Sequence, residues 1–180
     1  ISEKSPCWLN LKVSGDAGHG SKQTFESANV RLVYALNKII NHKFDIQISR
    51  EVHQYYSFLN KLNIINDEVN DKFFHSVIKD NSYAHSILTN SIAITQINAG
   101  YKNNVVPSIA SASLDVRLVP GYDPEQFINE LRIIINDENI SIEKVFISST
   151  KTSPIDNMAY NAIENVVKQL VPDASVVPYV

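Results

Sequence analysis

Only one cysteine, Cys7, occurs among the 180 residues. An internal disulfide framework is therefore excluded, and a zinc knuckle lacks its second thiolate. No apolar run approaches the roughly 20 residues that a membrane-spanning helix needs, and the first residues lack the charged-then-apolar layout of a signal peptide. Positive charge is not in excess: 16 Lys and Arg stand against 19 Asp and Glu, for a net charge of −3. With no basic stripe, and with serines around Arg117 where base-stacking rings should be, nucleic acid is excluded as a partner. Metal motifs are missing as well. His42, His53, His75 and His85 lie in or beside helical segments, with no His-x-Asp, no His-Glu-x-x-His and no adjacent Glu pair, so nothing in the chain holds a catalytic metal by itself. Ser21 has no Gly-x-Ser-x-Gly context, which argues against a serine-hydrolase elbow.

What is present is patterning. Hydrophobic residues make up 44%, enough for a real core, and the length suits one domain or one domain plus a piece of another. Residues 7–13 alternate, with Leu9, Leu11 and Val13 on one face and Asn10 and Lys12 on the other, the signature of a half-buried strand. Cys7 is expected to pack as a small hydrophobe beside Trp8. From residue 24 to about 40, Phe25, Ala28, Leu32, Ala35, Leu36 and Ile39 recur at helical spacing, with Thr24 as N-cap. Residues 91–98 read as a strand, and residues 109–118 alternate cleanly before Pro120-Gly121 marks a turn. Asp123-Pro124-Glu125-Gln126 starts a helix, with Asp as cap, Pro at the first position and Gln three residues after the cap. A strand over 140–147 follows. Strand, helix, strand, strand, helix, strand is the order of a ferredoxin-like split βαβ fold of the α+β class, a four-stranded antiparallel sheet with two helices on one face.

Residues 50–88 do not fit that plan. Val52, Tyr55, Leu59 and Leu62, then Val69, Phe73, Val77 and Ile78, predict two short helices inserted before the second strand. After a linker-like stretch from Ser149 to Pro154, Ala159, Ile163, Val166, Val167 and Leu170 predict another helix, and residues 174–180 read as a strand. These last elements have no place in the sheet and are assigned to a neighbouring domain. The chain opens at Ile1 without an initiator methionine, and its final strand would leave an unpaired edge, so a fragment of a longer protein is expected.

Three places offer chemistry. Gly15-Asp16-Ala17-Gly18-His19-Gly20-Ser21 sets His19 between glycines after a strand, where the backbone can turn and the imidazole stays approachable; a bland strand-to-helix turn reads the same way. Asp16 is either a partner that orients the ring or a turn aspartate. Arg117, on the polar face of its strand, is either an ion-pair partner, with Asp115 or a neighbouring strand's carboxylate, or a bidentate clamp for a substrate carboxylate. Asn104, in Asn103-Asn104-Val105-Val106-Pro107, is either a turn residue or an amide offered to a polar ligand.

Taken together, the string 15–21, Gly100-Tyr101-Lys102-Asn103-Asn104-Val105-Val106-Pro107-Ser108 and Leu114-Asp115-Val116-Arg117-Leu118-Val119-Pro120-Gly121 resemble the lid, or dimerisation, domain of one family. It is the aminoacylase, carboxypeptidase and succinyl-diaminopimelate desuccinylase family of zinc metallopeptidases. The insertion at 50–88 is similar to its carboxypeptidase S-like and N-acyl amino acid hydrolase branch. The resemblance implies that residues 1–6 end a first catalytic-domain segment, 7–148 form the lid, and 149–180 re-enter the catalytic domain. It implies that His19 is delivered into the partner subunit's active site to hydrogen-bond an oxyanion, and that Asn104 and Arg117 hold the substrate's carboxylate end. The substrate would be an N-acyl amino acid or peptide, and the assembly a homodimer through this domain. The cofactor would be two zinc ions in the catalytic domain, none bound by this chain, which alone should be inactive. The resemblance implies no membrane contact, and the expected location is cytoplasmic. A non-catalytic dimerisation or small-ligand-binding module of a degenerate relative is the alternative.

Overall fold

A computed structural model describes residues 2–22, 25–150, 152–154 and 157–177. Strand β1 (Ser5–Ser14) is followed by the two-residue β2 (Gly18–His19) and helix α1 (Ala28–Asn41). Helices α2 (Arg50–Lys61), α3 (Asp71–Asp80) and α4 (Ser82–Leu88) come next. Then follow β3 (Ser91–Ala99), the two-residue β4 (Val105–Val106), β5 (Ile109–Leu118), α5 (Pro124–Ile135), β6 (Ile140–Ile147) and α6 (Met158–Leu170). Four strands form an antiparallel sheet in the order β3-β5-β1-β6. The expected split βαβ arrangement is therefore present.

Alternation decides which face is covered. Cys7, Leu9, Leu11 and Val13 of β1 and Ala110, Ala112, Leu114, Val116 and Leu118 of β5 are buried together with Leu32, Leu36 and Ile39 of α1 and Phe127, Ile128 and Leu131 of α5. Each fully buried Leu or Ile here contributes about 1.5–3 kcal/mol relative to exposure. The period of two also corrects one expectation. Cys7 lies in this core while Trp8, its neighbour in sequence, faces the open side against Phe146, ring centroids 5.1 Å apart. Burial raises the Cys7 thiol above its usual value.

Helix starts follow their caps. Asp123 caps α5 and Pro124 occupies its first turn, as expected, but Gln126 donates to the Tyr122 hydroxyl at 3.2 Å rather than closing a capping box. Ahead of α5, Val119-Pro120-Gly121-Tyr122 turns with Tyr122 N–H donating to Val119 at 3.0 Å and Gly121 at φ +84°, a conformation that favours glycine. Helix α1 begins later than its spacing predicts. Ser27 is the cap, accepting from Val30 N–H, and Phe25 stands exposed before the helix; the predicted cap, Thr24, lies outside the described residues.

The insertion forms three helices, not two. Asn81 has extended backbone that ends α3, and its side chain caps α4 through Ala84 N–H at 3.0 Å. Val52, Tyr56, Phe73, Phe74, Ala84, Ile87 and Leu88 make a second core of their own. This unit is tied to the sheet by the Lys4 ammonium, which donates to Ser86 O, Thr89 O and Ser91 Oγ at 2.8–2.9 Å. Burial, and then Arg117, pull Lys4 down to about 8.

Where the chain enters and leaves the sheet, residues 2–6 run beside residues 148–150 and 152. Ser5 and Thr150 hydroxyls meet at 2.7 Å and those of Ser2 and Thr152 at 3.0 Å, while Ser148 N–H donates to Pro6 O. Helix α6 forms where its spacing predicts, but none of its residues is buried. The strand expected after it is not found at residues 174–177, which carry no strand pairing; Pro178, Tyr179 and Val180 lie outside the described residues. Among the described residues no helix is long and apolar enough to cross a membrane.

One ion pair pins the helical layer. Arg31 of α1 donates to both oxygens of Asp137, at 3.0 and 2.9 Å, in the turn between α5 and β6. Burial alone would raise the Asp137 carboxyl, but the Asn139 N–H and the Arg31 guanidinium that donate to it hold it below the usual carboxylate range. Asp137→Asn should therefore cost about 1 kcal/mol at neutral pH, the size of a partly screened pair, read as a lower urea midpoint. A depressed carboxyl contributes fully above its unfolded value of about 3.9 and loses that contribution below it, so the gap between variant and wild type should close as pH falls through this range.

Candidate functional site

Strand β1 runs out at Ser14, and the chain then passes tightly against the start of α1. Gly15 N–H donates to Ser108 O at 3.0 Å, and a Cβ on Gly15 would stand 2.3 Å from the Ala28 nitrogen, so only glycine fits that approach. Gly18, by contrast, has nothing within 4 Å of such an atom. Of the glycines around His19, it is Gly15 that shapes the turn.

Beyond Gly15 the chain rises into a short ribbon. Gly18 pairs with Val106 and His19 with Val105; Gly20 N–H donates to Asn104 O at 2.8 Å and Lys22 N–H to His19 O at 2.9 Å. Pairing of β2 with β4 was not legible in the sequence. It makes His19 and Asn104 neighbours, although they lie in strings far apart in the chain. Both are exposed.

The His19 ring is held along one edge. Ser21 N–H donates to its Nδ1 at 3.2 Å, and the Ser21 hydroxyl lies 2.8 Å from the same nitrogen. A backbone N–H can only donate, so Nδ1 is the acceptor and the uncharged ring carries its proton on Nε2. The ribbon thus presents an N–H donor pointing outward. Asp16 does not orient the ring; it stands close enough to Arg31 to act on that guanidinium. The contact of Ser21 with Nδ1 is the feature not anticipated from the sequence, and its signal was the serine two positions after the histidine.

Arg117 is elsewhere. It lies opposite Pro6 and Ser91, at the end of β5 remote from Ile109 and the ribbon, about 25 Å away at strand rise. Its Nε and Nη2 donate to the two oxygens of Asp115 at 2.8 and 3.1 Å on the open face of the sheet. That is the ion pair expected with Asp115, and an exposed pair of this kind orients more than it stabilises. The structure therefore brings two of the three candidate residues together and sets the third beside the paired segments 2–6 and 148–150. Among the described residues no three of His, Cys, Asp and Glu come together as metal ligands.

A family model described as the peptidase dimerisation domain matches residues 1–143. Probable carboxypeptidase S-like 2 of Dictyostelium discoideum is 28% identical over 99% of this chain, and the human N-fatty-acyl-amino acid synthase/hydrolase PM20D1 is 21% identical over 98%. The chain spans 36% and 37% of their respective lengths. Among solved structures, the M20 family metallo-carboxypeptidase Sso-CP2 of Sulfolobus solfataricus shares the fold with a TM-score of 0.64 at 15% identity, covering 99% of this chain and 52% of that one. The dipeptidase Dug1p of Saccharomyces cerevisiae gives 0.58 at 14%, covering 99% and 43%.

Removing the Ser21 hydroxyl should loosen the ring without unfolding an exposed turn. Imidazole nitrogen NMR of this chain should find His19 protonated at Nε2 when uncharged, and Ser21→Ala should shift part of the population to the Nδ1–H form. Identical nitrogen shifts in the two proteins would remove Ser21 from this role.

Proposed function

The chain belongs to the peptidase dimerisation domain family, and on that premise we propose that it is the lid of a zinc-dependent hydrolase that cleaves the amide bond of N-acyl amino acids or peptides. The zinc ligands and general base are residues outside this chain. Names among the relatives, carboxypeptidase S-like, aminoacylase-1 and N-fatty-acyl-amino acid synthase/hydrolase, support that substrate class and an apolar acyl group within it.

The observation that carries this reading is the placement of the candidate residues at opposite ends of one sheet. Residues 1–6 and 149–180 are the segments that lead to the catalytic part, and the pairing of Ser5 with Thr150 supports a hinge there. Arg117, beside that hinge, serves the active site of its own subunit and takes the substrate carboxylate on its guanidinium. His19 and Asn104, at the far end, reach the partner's active site. There the outward Nε2–H of His19 donates to the oxyanion that forms on the scissile carbonyl, and the Asn104 amide helps hold the carboxylate end. A donor placed where charge develops is worth about 10²–10³ in rate.

A homodimer is the assembly this requires. Exposed Val33, Tyr34 and Ile40 on α1 and the open edge of β3 offer apolar area and unpaired backbone for it. The exposed apolar residues Ile163, Val166 and Leu170 of α6 suit a helix covered by the catalytic part. The single buried cysteine fits a reducing, cytoplasmic compartment.

Mixed dimers of the full-length protein test the division of labour. His19→Ala and Arg117→Ala homodimers should each lose about 10²-fold or more in kcat/KM. Mixing them with subunit exchange should restore about a quarter of wild-type activity, because half of the dimers are mixed and each of those holds one intact site. If both residues served the same site from one chain, no mixture would recover. Wild-type protein without hydrolytic activity on N-acyl amino acids and dipeptides would leave the non-catalytic module as the better reading.

A further inference from the structure

The open face of the sheet is hollowed at one level. Along β6, Phe146 pairs with Trp8 and Lys144 with Leu9, so Val145 is an extra residue. Along β3, Ile94 pairs with Leu114 and Gln96 with Ser113, so Thr95 is extra too. Leu9 and Leu114 are themselves partners in the central pair, which puts both bulges on the same cross-section of the sheet. A bulge bends its strand and re-aims side chains. Between the two lies a hollow of about 370 Å³, lined by Trp8, Asn10, Thr95, Ser113, Asp115 and Val145 among others; volumes above about 300 Å³ suit small-molecule ligands.

Its chemistry is divided. Trp8, braced by Phe146, and Val145 give an apolar wall that is substantially exposed. The floor is polar: the Ser113 hydroxyl donates to Asn10 Oδ1 at 2.9 Å and the Thr95 hydroxyl to Ser113 O at 3.2 Å, while the amide N–H groups of Asn10 and Gln96 are left to solvent. A hydrocarbon chain therefore fits along the Trp8 and Val145 wall, where it need not cover those amides. Asp115 lines the hollow, and its partner Arg117 lies just beyond it along β5. Asp115 occupies the Nε–Nη2 edge of the guanidinium and leaves Nη1 with no protein partner among the described residues. The end of the fork formed by the two Nη groups can therefore take a second carboxylate.

We propose that this hollow is the subsite for the apolar acyl group of an N-acyl amino acid whose carboxylate sits on Arg117, a site that rests on the carboxylate role given to Arg117 above. The acyl chain leaves the amino acid close to its carboxylate and runs over Trp8 and Val145. The wall of the hollow is apolar, and the Arg117 guanidinium stands beyond the Asp115 carboxylate at one end, so the occupant is an amphiphile whose carboxylate reaches the free Nη1 of Arg117.

Trp8 is the only tryptophan in the chain and reports occupancy directly, without catalysis. Titrating this chain with N-dodecanoylglycine, below its micelle concentration, should shift Trp8 emission to shorter wavelength with saturation. Dodecanol, which lacks the carboxylate, should bind about tenfold more weakly, as should N-dodecanoylglycine to Arg117→Gln. Val145→Glu, at a position exposed enough to leave folding intact, should abolish the shift. A non-saturating response, or one that Val145→Glu leaves unchanged, would overturn the proposal. So would N-acetylphenylalanine binding as tightly as N-dodecanoylglycine, which would make the hollow a side-chain pocket instead. A saturating shift in a protein whose mixed dimers show no hydrolysis would remove the catalytic reading and keep the site; hydrolysis with no shift would do the reverse.

Discussion

The rest of the molecule depends on the uninterrupted antiparallel pairing of β1 with β5, ten residues in one register from Ser5 opposite Leu118 to Ser14 opposite Ile109. With a side-chain period of two, that register commits the faces of both strands at once, because a slip by one residue would bring Trp8, Asn10 and Lys12 under the helices and push Leu9 and Leu11 into water. It also fixes a length. One end of the pair carries Arg117, Pro6 and the paired segments 2–6 and 148–150, and the other leads through Gly15 and Ser108 into the ribbon of His19 and Asn104. The edge strands bulge and the central pair does not, so the edges can curve around a hollow while the distance between the two ends stays fixed.

Most of this architecture is legible in the sequence because the sheet is covered on one side only. Half-buried strands write themselves as alternation, and residues 109–118 carry the pattern without a break. The helix α5 is equally plain, since Asp123 and Pro124 stand where a cap and a first turn require them. The failures have local causes. Spacing alone placed Phe25 in α1, whereas the cap that starts the helix is Ser27. Residues 50–88 carry enough apolar residues for two helices, but Asn81 ends one and caps the next. Residues 174–177 are β-branched in part, yet a strand exists only where a neighbour pairs with it.

At the candidate site the limit was of a different kind. The chemical identity of His19, Asn104 and Arg117 could be read from their strings, but their mutual geometry could not. Two-residue strands have no periodicity to detect, and the ribbon is visible only after residues 18–20 and 104–106 have been brought together by the folding of the sheet. Ser21 illustrates the same point. Its hydroxyl matters because the turn also aims its backbone N–H at Nδ1, and that double contact belongs to the conformation rather than to the residue type.

Ser21 and Asp115 do the same physical work at the two ends. Each engages one edge of a polar ring or fork and leaves another edge open to a ligand: Nε2–H on His19, the terminal nitrogens on Arg117. Each engaged edge removes rotational freedom from a side chain that would otherwise sample several rotamers in water, and that lost freedom is no longer charged against binding. Such preorganisation is useful only if the two groups meet one substrate. Within a single chain they are held about 25 Å apart by the central strands, more than any N-acyl amino acid or dipeptide bridges while both ends remain bonded. In the proposed homodimer, a second subunit whose ribbon approaches the first subunit's Arg117 would resolve the mismatch. On that proposal, the stiffness of the central pair, which keeps His19 and Arg117 apart in one chain, would set the distance over which two chains must reach each other.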